Sequence, residues 1–168
     1  MSKTFSNSID RIIIPKIGVD APISFKKVGK DGQMPMPNTP DDIAYYDFSL
    51  FPNLGGRISE PGNAIFSGHV DSGFDYCDFG KTPPPCDAVL WNLDKLMPLD
   101  KIEIKYKGKS LLYAVVSNKQ INLLVSSWKK VLKSTKTETV TIITCAGEFN
   151  EEKISYDARQ VVKARRVE

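Results

Sequence analysis

His69 is the only histidine among 168 residues, so a two-histidine metal site or a histidine pair is excluded, and any mechanism that needs an imidazole must use this one. Of the three cysteines, Cys145 closes the apolar run Val140-Thr141-Ile142-Ile143-Thr144-Cys145, where a side chain can emerge at a strand end. The following Ala146-Gly147 is read as open space. Arg159 opens the next β-rich segment 14 residues later, and an antiparallel return would bring it beside the cysteine. His69 lies at the end of another β-rich run and could approach from the other side. A nearby cation favours a thiolate, and an imidazolium can protonate a departing amine. A guanidinium stays charged at any working pH, so Arg159 suits holding substrate or an oxyanion and not proton transfer. Each residue also has a plainer reading: an inert buried thiol, a structural histidine, a solvated arginine.

The elements that must position these residues are short and mostly β. Arg11 to Ile17 is a β-branched run whose Pro15 predicts an edge or a bulge. Gly29 to Pro40 reads as turns, Ile43 to Phe48 as a short strand, and Asn63 to Val70 as a strand that places Ile65, Ser67, His69 and Asp71 on one face. Residues 71 to 87 are rich in Gly, Pro, Asp and Cys and read as a loop, and Trp91 to Leu96 as a short helix. Ile102 to Lys107 turns through Gly108 into Leu111 to Asn118 as a hairpin. Ser126 and Ser127 can cap a helix with Trp128, Val131 and Leu132 on one face. Gly147 is expected to end the cysteine strand, and Ala158 to Val167 forms the last one. About eight short strands at this spacing predict a mainly β fold, a closed or nearly closed barrel, with one or two short helices.

The length fits one compact domain over residues 11–168, preceded by a polar lead, residues 1–10, read as disordered or as the remnant of a removed membrane-anchor linker. The longest apolar run, Leu111 to Val116, falls far short of the roughly 20 residues of a spanning helix. A net charge of +3, with neither a basic aromatic stripe nor a Gly-rich phosphate loop, argues against nucleic acid as a partner.

Four segments resemble one known family. Thr141-Ile142-Ile143-Thr144-Cys145 resembles the sortase signature Thr-Leu-x-Thr-Cys, with Ile in place of Leu, and Gly68-His69-Val70-Asp71 resembles the histidine motif. The stretch from Ile14 to Ile23 is similar to the family's first strand pair, and Arg159-Gln160-Val161-Val162 to its arginine strand. Pro61-Gly62-Asn63-Ala64, the Gly-His-Val-Asp form and Cys-Ala-Gly-Glu-Phe look most similar to class F, from which Ala146 departs by replacing a glycine.

The resemblance implies an eight-stranded β-barrel and a cysteine transpeptidase of the extracellular membrane face, held by an N-terminal anchor absent from this chain. Such an enzyme cleaves a Leu-Pro-x-Thr-Gly sorting signal between Thr and Gly. Cys145 would form a thioacyl-enzyme, His69 would protonate the leaving amine and deprotonate the incoming one, and Arg159 would hold the substrate backbone or the oxyanion. Thr144, Ile143, Ala146, Ile121 and Trp128 would line the substrate pocket. The acceptor would be a cell-wall peptide amine or a pilin lysine, and no cofactor is needed.

Glu60 is the single acidic residue between Gly55 and Pro61, so no calcium site is expected, and no other metal. Cys77 and Cys86 fall outside the family motifs. As an extracellular disulfide they would close a ten-residue ring and restrict the unfolded chain by about 2 to 3 kcal/mol. Two free thiols or a zinc site are the competing readings. Asp71 either orients His69 or caps a turn, and Lys163, Arg165 and Arg166 read as a solvated strand face. The alternative functions are an L,D-transpeptidase, whose Ser-x-Gly-Cys context is missing here, and a noncatalytic surface-binding barrel.

Overall fold

The computed structural model describes residues 9–72, 87–123 and 127–167. Eight strands follow the β-branched runs: β1 (Arg11–Ile14), β2 (Val19–Lys27), β3 (Ile43–Asp47), β4 (Gly62–Ser67), β5 (Lys101–Tyr106), β6 (Lys109–Asn122), β7 (Glu138–Asn150) and β8 (Ser155–Val167). They close into a barrel in the order β1-β2-β3-β4-β7-β8-β6-β5, and β5 returns to β1. The pairs β2/β3 and β4/β7 are parallel and the others antiparallel.

Strand alternation divides the apolar residues between two cores. Ile12, Ile14, Ala64, Phe66, Ile102, Ile104, Val140, Ile142, Val162 and Ala164 fill the barrel. Their sequence neighbours Ile65, Ile143 and Val161 point outward and join Tyr46, Phe48, Val131 and Leu132 in a second core. The short helix α1 (Trp128–Leu132) covers this outer core with Val131 and Leu132. The strands β3, β4, β7 and β8 are therefore apolar on both faces.

Several local expectations change. Pro15 marks neither an edge nor a bulge; it opens a 3-10 turn, Pro15–Ile17, which ends at Gly18 with φ 67°. A proline fits the first helical position because its missing N–H has no helical acceptor there. The Trp91 to Leu96 segment contains only a 3-10 turn, Leu93–Lys95, fastened by the Asn118 amide, which donates to Leu93 O at 3.0 Å and Leu96 O at 2.9 Å. Ser127 occupies the N-cap of α1 without a side-chain cap bond, and Trp128 is 37% exposed, so that face reduces to Val131 and Leu132. Ser126, Cys77 and Cys86 lie outside the described residues.

Of the three C-terminal basic residues, Arg165 is exposed as expected, whereas Arg166 and Lys163 are less solvated. Arg166 is partly buried, donates to Glu138 Oε1 at 3.0 Å and lies 5.8 Å from the centre of the Tyr113 ring. Lys163 is half-buried, with Nζ 3.4 Å from Val131 O.

Candidate active site

Cys145 lies in β7 directly opposite Arg159 of β8 in the antiparallel register. Both share strand parity with outward-pointing neighbours, Ile143 and Val161, so they belong to the outer face of the barrel. On the other side of β7, the parallel pairing with β4 runs to Ser67 opposite Ile143. It continues one residue beyond β4, where the Gly68 N–H donates to Ile143 O at 3.2 Å and the Thr144 hydroxyl donates to Gly68 O at 2.8 Å. His69 follows immediately, its carbonyl accepting the Leu90 N–H at 3.0 Å. Two parallel strands thus bring His69 and Cys145 to the same end of the sheet, and the antiparallel partner adds Arg159.

Gly68 is needed by close packing. A Cβ there would come within 2.9 Å of Leu90 Cδ1 and 3.0 Å of Val89 Cγ1, and Leu90 is fully buried. Gly147 plays a different part. The strand does not stop there, as expected, but continues to Asn150 through a register shift between Ala146 and Phe149. Gly147 sits in that bulge at φ 82°, and a Cβ would lie 2.1 Å from Asp157 Oδ1, so the space after Cys145 is not open at that residue.

The electrostatics at the thiol are mixed. Cys145 is half-buried, and burial pushes its pKa up; the Arg159 guanidinium pulls it back and the Asp71 carboxylate adds to the rise. The Arg159 guanidinium is itself held, Nη1 donating to Ala158 O at 2.8 Å and Tyr156 O at 3.1 Å. Asp71 accepts a short hydrogen bond from the Tyr156 phenol. Burial, then the Asp71 carboxylate as acceptor and as charge, pushes that phenol well above the usual tyrosine range.

The pocket residues expected from the sequence divide. Thr144 is buried with its hydroxyl committed to Gly68 O, which clamps the histidine segment to the cysteine strand. Ile143 is buried in the outer core, against which Ile121 packs half-buried opposite Arg159 in the β6/β8 register. Ala146 is half-buried beside the thiol, and Trp128 is partly exposed at the start of α1. A cavity of about 750 Å³ lined by Phe25, Tyr45, Arg57 and Tyr106 opens at the opposite end of the barrel, near the start of β4, and is not part of this arrangement.

Tyr156 was missed in the sequence. Its partner is 85 residues away, so no local spacing marks it. Among the described residues no cluster of three or more His, Cys, Asp or Glu could hold a metal ion.

The chain matches the family described as Sortase domain over residues 12–167. Similar solved structures include the sortase D5 transpeptidase of Clostridium perfringens, 22% identical over 95% of this chain and 79% of that one, with a TM-score of 0.63. A lid mutant of sortase A from Corynebacterium diphtheriae is 20% identical over 95% and 70%, with a TM-score of 0.64. Sortase C-1 of Actinomyces oris is 21% identical over 95% and 73%, with a TM-score of 0.62. These likenesses show the barrel fold, and their names cover classes A, C and D. No curated protein matches the chain.

Proposed function

Because the chain belongs to the sortase family, we propose that it is a cysteine transpeptidase in which Cys145, His69 and Arg159 are the reacting group. The observation that carries this reading is the strand register: Cys145 faces Arg159 across β7/β8, and the β4/β7 pairing, extended through Gly68, delivers His69 to the same strand end.

The substrate is a sorting signal of the Leu-Pro-x-Thr-Gly type. The Cys145 thiolate attacks the threonine carbonyl, and the resulting oxyanion is stabilised by Arg159. The C–N bond to glycine then breaks, with His69 giving its proton to the departing amine, and a thioacyl-enzyme remains. An incoming amine, from a cell-wall precursor or a pilin lysine, loses a proton to His69, attacks the thioester and expels the Cys145 thiolate. Ile121, Ala146 and Trp128, which keep some exposure, are the side chains left to border the acyl side of the substrate. The class F assignment rests on the Gly-His-Val-Asp and Cys-Ala-Gly-Glu-Phe segments. Likeness to the family supports placement at the extracellular membrane face through an N-terminal anchor; among the described residues no helix is long and apolar enough to cross a membrane.

The test is incubation with a fluorogenic Leu-Pro-x-Thr-Gly peptide, with and without triglycine. Cleavage, a triglycine adduct, a thioacyl mass on the protein and the loss of all three in Cys145→Ala are expected. An uncleaved peptide together with no thioacyl adduct would reject the reading.

A further inference from the structure

Tyr156 joins three parts of the candidate site and has no step in the proposed reaction. It lies near the start of β8, paired with Phe149 of β7, and meets that ring edge-on with 5.2 Å between centroids. Its phenol donates to Asp71 Oδ2, two residues beyond His69. Its carbonyl accepts Arg159 Nη1 at 3.1 Å. In the barrel β7 lies between β4 and β8, so the phenol–carboxylate bond links segments on either side of the strand that carries Cys145. Asp71 is close enough to act on the thiol's charge, and a Cys145 thiolate in turn acts on the Tyr156 phenol.

The ring packing against Phe149 needs only an aromatic side chain. The hydroxyl does something further. A bare carboxylate near a thiol opposes thiolate formation, and an O–H donor draws on that charge and fixes where the carboxylate points.

We propose that Tyr156 is a positioning residue, which holds the imidazole-bearing segment through Asp71 and the guanidinium through its carbonyl, on either side of Cys145, and restrains the Asp71 carboxylate beside the thiol. The inference rests on the reading of Cys145, His69 and Arg159 as the reacting group. Among the described residues, the charged and titratable groups brought toward the thiol are His69 and Asp71 from the β4 exit, Asp87 bridged to Asp71, Glu148 and Asp157 at the β7/β8 bulge, and Tyr156 and Arg159 from β8.

The experiment compares the parent, Tyr156→Phe, Asp71→Asn and the double variant in two assays. One is the pH profile of Cys145 alkylation by iodoacetamide, which needs no substrate; the other is kcat and KM on the sorting-signal peptide. Tyr156→Phe should move the alkylation midpoint to higher pH and lower kcat roughly tenfold while KM stays within about twofold, the signature of lost orientation and not of lost binding. Asp71→Asn should move the midpoint to lower pH, and the double variant should match Asp71→Asn alone, because residues acting through one contact are not additive. Alkylation profiles of Tyr156→Phe and parent that superimpose, or effects of the two substitutions that add, would overturn the proposal. A parent inert towards the peptide with profiles shifted as stated would count against the proposed function and for this inference. A parent that cleaves the peptide with unmoved profiles would do the reverse.

Discussion

The Thr144 hydroxyl donates to the Gly68 carbonyl at 2.8 Å, and with the Gly68 N–H to Ile143 O bond it extends the parallel β4/β7 pairing past the end of β4 to the residue before His69. The hydroxyl is buried, so its loss leaves a carbonyl without that donor in a place water does not readily reach. Thr144→Val keeps the volume and removes the donor. It should cost roughly 1 to 3 kcal/mol of stability, read by urea denaturation, while Thr144→Ser restores most of it. A Val variant as stable as the parent would mean that the clamp is idle.

Gly68 tests the same segment sterically. Its missing Cβ leaves room for Leu90 and Val89, 2.9 and 3.0 Å from where that carbon would stand. Leu90 is fully buried and has little space into which to withdraw. Gly68→Ala should destabilise by about 1 to 3 kcal/mol through overpacking, and should lower peptide turnover further by displacing His69. Thermal denaturation alongside turnover separates the two effects.

How much of this was legible from the sequence depends on the range of the interaction. The positions of His69, Cys145 and Arg159 followed from alternation within single β-rich runs and from chain direction, which are local properties. The two-sided burial of β4 and β7 did not show, because Ser67 and His69 share a face with Ile65 in one run and Thr141 and Thr144 punctuate the other. What stayed hidden depends on partners far along the chain. Asp71 offered two equal local roles, and the third, accepting the Tyr156 phenol, comes from a residue 85 positions on. Gly147 looked like a strand end because a glycine in a bulge and a glycine at a terminus have the same local signature. Trp128 fits the helical spacing, but a helix as short as Trp128–Leu132 buries only its last turn.

Glu138 and Arg166 carry a prediction about the far end of β7. Glu138 Oε1 accepts from Tyr113 Oη at 2.6 Å and from Arg166 Nη1 at 3.0 Å. Removing the carboxylate strands both a phenol and a partly buried guanidinium. Glu138→Ala should cost roughly 2 to 4 kcal/mol, more than an exposed ion pair would. Denaturation midpoints in low and high salt check this, since a partly buried pair loses little on screening.

Asp42 supplies an acid-sensitive element. Burial alone would raise its carboxyl, but hydrogen bonds from Ser24, the Thr39 and Asn38 amides and the Thr39 hydroxyl together outweigh it and leave the group below the usual carboxylate value. A carboxyl depressed in the folded state stabilises fully above its unfolded value of about 3.9, and that contribution is lost as pH falls through the lower folded value. Asp42→Asn should therefore be less stable than the parent at neutral pH, with the gap closing below about pH 4. Chemical denaturation at several pH values reads this, and a constant gap would contradict it.

The thiol gives the last prediction. Burial raises the Cys145 pKa, Arg159 lowers it and Asp71 raises it, with the net effect upward. At neutral pH the free enzyme then holds mostly thiol, and its alkylation by iodoacetamide should be slower than that of an unstructured cysteine peptide and should climb with pH beyond the ordinary thiol range. Arg159→Gln removes the cation that, among the described residues, favours the anion, so its profile should lie at still higher pH, with peptide cleavage falling by about a hundredfold or more as oxyanion support is lost as well. The two readouts divide the roles. A shifted alkylation profile with near-normal cleavage would leave Arg159 as an electrostatic neighbour of the thiol, whereas lost cleavage with an unshifted profile would confine it to substrate and oxyanion.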